Sequence, residues 1–389
     1  MIRWFSLVFF FGILSLLFRV HFLYVLFYLS IVLPLLSRYL SRFAFSNLKL
    51  DVSLEPRNIF YREVSRFSIT VSNETFLPVY WLETVSYLPE KLIFPYKVGG
   101  LHRIPSKGKI SLSYEIKGIK RGVYQLGPVV LQTSDIISGE EFKNTFRVND
   151  RLTVYPKIVP IVSGRIHSYQ PVGELRSDEV AFEDPSLFRG TREYSTSDPI
   201  KRIHWKLSAR TGVLQVKMYE PTVGAQSVIF LNLRYQDYST FDRDYKVELA
   251  ITLASSLATF LIKKKQEVGL VTNGGDMLIE DTNLTVQKIP PKRGEEHLIR
   301  ILELLARVTP RRTDDFPPLV YSESLSFPRW VNLLVITPRE NEQLMKTLIG
   351  INRRGTNISL FTLIDYKGDR REEGIFIYEV PNEDKIKAL

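Results

Sequence analysis

The sequence predicts a mixed α+β chain of several domains: a helical hairpin in a membrane, an antiparallel β-sandwich and an α/β domain. Three observations support this fold class. The first forty residues are mostly apolar, and short runs of alternating apolar and polar residues follow as far as about residue 155. After residue 225, continuous apolar runs alternate with amphipathic segments of helical length. Each pattern is typical of a different environment for the backbone.

The composition limits the classes of function. A chain of 389 residues is long enough for more than one buried core, and 44% hydrophobic residues with 24% charged residues excludes wholesale disorder. The lack of cysteine excludes disulfides, thiolate nucleophiles and cysteine metal sites. The net charge of +10 is scattered and no aromatic-plus-basic recognition motif accompanies it, so we expect no nucleic-acid binding.

The apolar start, residues 1–44, predicts a membrane anchor. Two apolar arms flank Arg19-Val20-His21, and no small-residue cleavage pattern follows them, which disfavours a signal peptide. One helix of about 35 residues would measure about 50 Å, against a hydrocarbon core of about 30 Å. A single span would also bury Arg19 near the bilayer centre. A hairpin that turns at Arg19 is therefore favoured over a single span.

Basic residues flank both ends of this anchor. Arg3 lies at one end, and Arg38, Arg42 and Lys49 lie at the other. Because positive residues are enriched on the cytoplasmic side, both ends are expected there. The sequence thus predicts a multi-pass cell-membrane protein with two segments and cytoplasmic soluble domains.

Residues 45–156 show the alternation of half-buried strands. Turn signals such as Asn73 and the 105–108 and 120–122 segments recur between the runs, which favours an antiparallel β-sandwich of immunoglobulin-like size, with a β-barrel as the alternative. The clearest runs are RFSITVSN from Arg66, KISLSYEIKG from Lys109, GPVVLQTSD from Gly127 and RLTVYPKI from Arg151.

Residues 226–389 predict a mostly parallel sheet covered by helices on both faces, because the apolar strands show no alternation. Ligands in such folds bind at the carboxyl ends of the strands, which directs attention to the residues just after Leu231, Val271 and Ile336. The strand runs begin at Ser227, Val268, Trp330 and Ile358, and the helical segments between them begin at Tyr245, Glu295 and Asn341.

Residues 157–225 join these two regions and contain a stretch dense in charged and aromatic side chains, FRGTREYSTSDPIKRIHWKLSARTGVLQVKMYEPT from Phe188. It resembles the central signature of the bacterial "domain of unknown function 58" family. The segment from Arg121 to Pro128, with Asp135 and Gly139, resembles the upstream element of that family. The matching signature positions are Gly190, Arg192, Glu193, Tyr194, Asp198, Arg202, Ile203, Trp205, Ser208, Ala209, Arg210, Gly212 and Glu220.

The chain departs from the family pattern at two positions. Ser197 stands where glycine commonly precedes the aspartate, and His204 stands where an acidic residue often precedes the tryptophan. The resemblance implies an N-terminal membrane hairpin and a C-terminal von Willebrand factor A-like, Rossmann-type domain. It also implies a MoxR-type AAA ATPase as a protein partner, acting in chaperone-like assembly of complexes.

The signature residues form a candidate network of alternating charges around a tryptophan. Bidentate pairs between arginines and carboxylates would either lock the segment onto the neighbouring domain or present a partner-docking surface. Trp205 and Arg210 lie beside the apolar Leu207, Val213 and Leu214, which predicts that both are enclosed. The network comprises Arg192, Glu193, Tyr194, Asp198, Arg202, Trp205 and Arg210.

No metal or cofactor is expected. Von Willebrand A-like domains often hold Mg²⁺ through an Asp-x-Ser-x-Ser loop, but Asn232, Arg234 and Gln236 take those positions here. Thr337 stands where a supporting aspartate commonly follows an apolar strand. The acids that follow the loop, Asp237, Asp242 and Asp244, are typical of a solvated loop and a helix cap.

No catalytic residue is predicted either. The histidines at 21, 102, 167, 204 and 297 lie in unlike contexts, and no nucleophile elbow, HExxH motif or phosphate-binding loop is present. The sequence therefore favours a membrane-anchored, non-catalytic scaffold or adaptor that binds proteins. The alternatives are an extracytoplasmic metal-dependent adhesion protein and an enzyme that acts on the envelope.

Overall fold

A computed structural model describes most of the chain as two compact units. The first contains residues 1–157 and 302–307, and the second contains residues 158–301 and 308–389. The described residues are 2–18, 20–89, 92–93, 97–135, 137, 139–162, 183–195, 198, 200–221, 226–279, 286–313 and 315–389. Arg19, His167 and Ser197, which the sequence analysis singled out, lie outside this set, and so does the side chain of Glu220.

The helices are α1 (Ile2–Phe18), α2 (His21–Ser46), α3 (Trp205–Thr211), α4 (Arg243–Lys263), α5 (Glu295–Arg307), α6 (Phe316–Ser324), α7 (Glu342–Asn352) and α8 (Glu383–Ala388). The strands of the first unit are β1 (Leu48–Glu55), β2 (Asn58–Ile59), β3 (Val64–Asn73), β4 (Val79–Tyr87), β5 (Leu92–Ile93), β6 (Lys97–Ile104), β7 (Lys109–Gly118), β8 (Gly122–Gln125), β9 (Val129–Ser134), β10 (Glu141–Phe146) and β11 (Arg151–Val154). The strands of the second unit are β12 (Glu183–Glu193), β13 (Gln215–Pro221), β14 (Gln226–Leu231), β15 (Glu267–Thr272), β16 (Gly275–Asp276), β17 (Gln287–Lys292), β18 (Val308–Thr309), β19 (Asn332–Thr337), β20 (Asn357–Thr362), β21 (Arg370–Glu372) and β22 (Ile375–Glu379).

The apolar start forms two helices that contact each other. Gly12 of α1 lies so close to the Phe27 ring of α2 that an added Cβ would be 3.2 Å from it. Helix α2 is long and apolar enough to cross a membrane, and none of its most apolar stretch is buried in the protein. Helix α4 is also long and apolar enough to cross a membrane, but 72% of its most apolar stretch is buried, as in the core helix of a soluble domain.

The first unit contains the predicted antiparallel sandwich. Two four-stranded sheets, ordered β1-β3-β7-β5 and β10-β9-β4-β6, pair antiparallel throughout. Their alternate side chains meet in one core, in which Phe67, Ile69 and Leu82 are fully buried. A third sheet, β2-β11-β8, contains a parallel pair between β2 and β11, which the alternation pattern did not predict.

The second unit is built on a seven-stranded sheet of order β17-β15-β14-β19-β20-β22-β21. Five central strands, β15, β14, β19, β20 and β22, are parallel to their neighbours, and β17 and β21 pair antiparallel at the edges. The central strands are almost entirely buried, because helices cover them, which explains their continuous apolar sequence. The helices and strands predicted after residue 225 are confirmed.

Candidate functional site

The signature segment forms a small antiparallel β-hairpin-like pair of strands with one helix, and it belongs to the second unit. Strands β12 and β13 pair, and α3 lies between them in the chain. Ser208 joins helix to strand, because its Oγ accepts from the Gln215 N–H at 2.8 Å and donates to the His204 carbonyl at 3.0 Å. Ile203 and Val216 form an isolated bridge and are both buried. Gly212 ends α3 in the left-handed conformation, with φ of 72°.

His204 has a structural role in this segment. It is the N-cap of α3, and its ring Nδ1 accepts from the backbone N–H of Leu207 at 3.2 Å. Since the first N–H groups of a helix have no partner within the helix, this contact stabilises its start. An acidic side chain at this position would accept the same hydrogen bond.

The predicted arginine–carboxylate pair is present. The guanidinium of Arg192 donates two parallel hydrogen bonds to Asp198, at 2.7 and 2.5 Å, and the Ser195 N–H donates to the same carboxylate at 2.9 Å. The hydrogen bond from Arg192, followed by that from Ser195, lowers the pKa of Asp198 below its usual range. The Arg202 charge acts in the same direction. This pair closes the turn that precedes α3.

Two expectations for the signature network are wrong. Trp205 is 63% exposed and Arg210 is also exposed, whereas the sequence predicted that both are enclosed. The reason is that a helix of seven residues buries only a narrow stripe, which here contains Ser208. Val213 and Leu214, 47% and 44% exposed, lie in the turn after the helix and do not cover the indole.

The remaining network residues are also accessible. Glu193 and Arg202 are exposed, and Tyr194 is half-buried, with its N–H donating to the Leu214 carbonyl at 2.9 Å. Ile200, the first residue of a short 3₁₀ helix (Ile200–Arg202) before α3, is 66% exposed. We define the Trp205 surface as four exposed apolar side chains on α3 and its flanking turns: Ile200, Trp205, Val213 and Leu214.

The second candidate region is the carboxyl edge of the parallel sheet, where the residues after three strands meet as expected. Asn232 is buried, and its Nδ2 donates to Asp237 at 2.8 Å and to the Thr337 hydroxyl at 3.1 Å. Its Oδ1 accepts from the Asn273 amide at 3.2 Å and from the Arg234 N–H at 3.0 Å. All the polar atoms of the Asn232 side chain therefore have protein partners.

Arg234 places a cation at this edge. Its guanidinium lies 3.1 Å from Asp237 and 2.7 Å from Asp315, and its Nε donates to the Thr313 carbonyl at 3.2 Å. Because this guanidinium already neutralises two carboxylates, little negative charge remains at the edge to attract a divalent cation. Among the described residues, no group of three or more His, Asp or Glu side chains is arranged to hold a metal ion.

Two residues that form hydrogen bonds at this edge were not predicted from the sequence. Asn273 follows β15, and its Oδ1 accepts from the Leu233 N–H at 2.7 Å. Tyr238 is buried and donates its hydroxyl to the Asn232 carbonyl at 2.7 Å. Burial, followed by the Asp237 charge, raises the pKa of Tyr238, so the phenol stays protonated. Both residues rigidify the edge.

A further ion cluster at the ends of β19 and β22 was also missed. Glu379 is buried and accepts from the three backbone N–H groups of residues 366–368 and from Arg370 at 2.9 Å. The Nη2 group of Arg370 also donates to both carboxylate oxygens of Glu340, at 2.7 and 2.6 Å. Burial raises the pKa of Glu379, but these donors outweigh it and the pKa lies below its usual range.

Together these features define a mixed α+β protein with an exposed signature unit and a sheet edge filled by its own side chains. Residues 190–319, about a third of the chain, match the family model described as "Protein of unknown function DUF58". The matched range thus includes the Trp205 surface and, at the sheet edge, Asn232, Arg234 and Asn273.

A distant homologue is the uncharacterized protein YeaD of Bacillus subtilis (strain 168), 23% identical over 217 residues. The match covers 56% of this chain and 48% of YeaD, so the chain spans about half the length of this curated relative.

Solved structures show only weak likeness. The CARDB domain of the PF1109 protein from Pyrococcus furiosus is 12% identical, with a TM-score of 0.20, covering 28% of this chain and 91% of that one. Proximal thread matrix protein 1 from the mussel byssus is 10% identical, with a TM-score of 0.27, covering 36% and 38%.

Proposed function

We propose that this protein is a membrane-anchored, non-catalytic scaffold or adaptor that docks a protein partner on the Trp205 surface. The observation that carries the proposal is the 63% exposure of Trp205 within the signature segment. Exposed tryptophan and arginine side chains are the anchors most often found at the centres of protein interfaces. Since Ser208 and the Arg192–Asp198 pair fix the backbone around it, the surface is formed before a partner binds.

The second part of the proposal is the anchor. Helix α1 and the first sixteen residues of α2 measure about 26 and 24 Å at 1.5 Å per residue, which suits two short membrane spans. Basic residues flank both ends of this pair. We place the soluble units in the cytoplasm for that reason.

The partner follows from the resemblance. The seven-stranded sheet, with five parallel strands and antiparallel edges, supports a von Willebrand A-like assignment for the α/β domain. The family resemblance implies a MoxR-type AAA ATPase, and we propose that this ATPase occupies the Trp205 surface. Its clients would be assembled in a chaperone-like manner.

The competing functions have less support. A metal-dependent adhesion protein requires a cation at the sheet edge, where the Arg234 guanidinium contacts two aspartates. An enzyme requires an available acid, base or nucleophile. Two of the described histidines already have structural contacts: His204 caps a helix, and His297 is buried, with its Nε2 2.7 Å from the Val268 carbonyl.

The test compares Trp205→Ala with the parent full-length protein in lipid nanodiscs. Binding of a purified MoxR-type ATPase, with and without ATP, is measured by surface plasmon resonance. Loss of a central tryptophan anchor weakens an interface by about 2 kcal/mol or more, or about thirtyfold in Kd. Thermal melting should be nearly unchanged, because an exposed side chain contributes little to the folded state.

Phe241→Ala is the matched control. Phe241 is fully exposed and belongs to the same unit, but it lies outside the signature segment. We expect this variant to bind the ATPase like the parent. A Trp205→Ala protein that melts early would support a structural role for the indole, and equal binding by all three proteins would refute docking at this surface.

A further inference from the structure

Helix α2 does not end at the apolar stretch but continues along the sandwich. Ser37 and Ser41, one turn apart, donate to the same Asp135 oxygen at 2.5 and 3.1 Å. Arg38 forms an ion pair with Glu140 at 2.5 Å. Because Asp135 is only 3% exposed, these contacts fix the last turns of α2 on the sandwich edge.

Exposed aromatic side chains surround this junction. We call four of them the aromatic rim: Phe43, 40% exposed, Phe76, 67%, Tyr80, 56%, and Trp81, 54%. The Phe43 and Phe76 rings are 6.4 Å apart. Tyr80 and Trp81 line a cavity of 470 Å³ that the 37–44 face of α2 also lines. The rim therefore lies beside the point where α2 reaches the sandwich.

Basic side chains accompany the rim. The Arg103 guanidinium lies 4.7 Å from the centre of the Tyr80 ring, and Arg42 is exposed beside Phe43. The outer face of the other sheet is different in character. There, hydroxyl pairs such as Ser68–Ser113, at 3.0 Å, lie across β3 and β7. The α2 side of the sandwich thus combines aromatic and basic groups.

The position of the rim matches the headgroup layer. Phe43 lies seven residues, or about 10 Å along the helix, beyond Leu36, the last residue of the apolar arm. The arm of about 24 Å is about 6 Å shorter than a hydrocarbon core of about 30 Å, so the core extends about 3 Å past Leu36 and Phe43 lies about 7 Å beyond it. The polar layer of each leaflet extends about 5–8 Å beyond the hydrocarbon, which includes Phe43. Aromatic side chains concentrate at this level in membrane proteins, and basic groups there attract anionic lipids.

We propose that the aromatic rim, with Arg42 and Arg103, is a membrane-docking surface that holds the sandwich in the headgroup layer of an anionic leaflet. The proposal rests on the membrane anchor proposed above. It assigns the first unit an orientation, with its α2 edge against the lipid and the β3–β7 face toward water.

The test uses the absence of cysteine from the sequence. Single cysteines replace Phe76 in the rim, Ser113 on the opposite sheet and Leu29 in the apolar arm. Each is labelled with an environment-sensitive fluorophore in the full-length protein, in nanodiscs of phosphatidylcholine and phosphatidylglycerol. Headgroup nitroxides should quench the label at 76 strongly and the label at 113 little, and acyl-chain nitroxides should quench the label at 29.

The outcomes separate the docking surface from the anchor. Quenching at 29 with no more quenching at 76 than at 113 would overturn the docking proposal and leave the anchor intact. No quenching at 29 would overturn both. A label at 76 that is shielded from lipid nitroxides and from a water-soluble quencher alike would show that protein covers the rim, which also overturns the proposal.

Charge variants test the recognition of anionic lipid. Arg42→Gln and Arg103→Gln should each lower the docked-to-undocked ratio, reported by the label at 76, by about fivefold. Arg66→Gln, an exposed arginine on β3, is the matched control and should leave that ratio unchanged. Equal quenching of the label at 76 in all three variants and in the parent would overturn the proposed recognition of anionic lipid.

Discussion

Replacement of Arg234 by methionine tests whether the guanidinium holds the carboxyl edge of the sheet together. Methionine keeps an unbranched side chain but removes the charge and every donor. The change leaves Asp237 and Asp315, 3.1 and 2.7 Å from the guanidinium, without their cation. The Thr313 carbonyl also loses its hydrogen bond from Nε, so three contacts are lost together.

The expected loss lies between two limits. Breaking a buried ion pair costs about 3–5 kcal/mol, and an exposed pair contributes about 0–1 kcal/mol. The Arg234 side chain is 25% exposed, and its partners Asp237 and Asp315 are 17% and 49% exposed. We therefore expect the free energy of unfolding of the sheet to fall by about 2–3 kcal/mol.

Hydrogen exchange in the full-length protein measures this loss where it occurs. The slowest amides of β14 and β19 exchange through unfolding of the sheet, so a loss of 2–3 kcal/mol speeds their exchange by about 30-fold to 150-fold. Arg353→Met is the control. Arg353 is 78% exposed and lies 3.7 Å from Glu373, so its loss should change the free energy by less than about 0.5 kcal/mol.

Two results would refute this reasoning. Exchange in Arg234→Met that matches the Arg353→Met control would show that the guanidinium does not stabilise the edge. Slower exchange of β14 in the parent protein on addition of millimolar Mg²⁺ would show that the loop binds a cation. Calorimetric titration of the parent protein with Mg²⁺ and Mn²⁺ should show no heat from specific binding of either ion.

Two further predictions concern charge and topology. The pKa of Asp198 is below its usual range, so the Arg192–Asp198 pair stabilises the turn at pH values above the ordinary carboxyl pKa, and this stabilisation is lost as the pH falls through the lowered pKa. A pH titration of the Asp198 carboxyl ¹³C shift should show the lowered pKa, and Arg192→Gln should raise the pKa of Asp198. Single cysteines at Ser106 and Ser326 should resist a membrane-impermeant maleimide in intact cells with a permeabilised outer envelope. Labelling of both would overturn the cytoplasmic placement.

Regular elements of the second unit could be predicted because their signals are local. Each central strand reads as a continuous apolar run since helices bury both of its faces, and the helix from residue 243 to 263 lies between such runs. The convergence of Asn232 and Thr337 could also be predicted, because parallel strands end at one edge of a sheet. These inferences require only periodicity and strand direction.

Contacts between distant loops could not be predicted in this way. Asp315 reaches Arg234 from a loop about eighty residues later, and Glu340 meets Arg370 across thirty residues. No spacing rule in the sequence links such pairs. The enclosure expected of Trp205 was wrong for a different reason: Val213 and Leu214 lie in the turn after the short helix and do not cover the indole.

The connection between α2 and the sandwich also determines how the first unit moves. Only Asn47 separates the end of α2 from the first residue of β1, and Ser37 and Arg38 tie the helix to the sandwich two turns earlier. Without a flexible linker, the sandwich cannot tumble on its own. In the membrane-anchored form proposed above, its rotational correlation time should be that of the membrane-bound assembly, and any tilt of α2 in a bilayer of different thickness should turn the sandwich through the same angle.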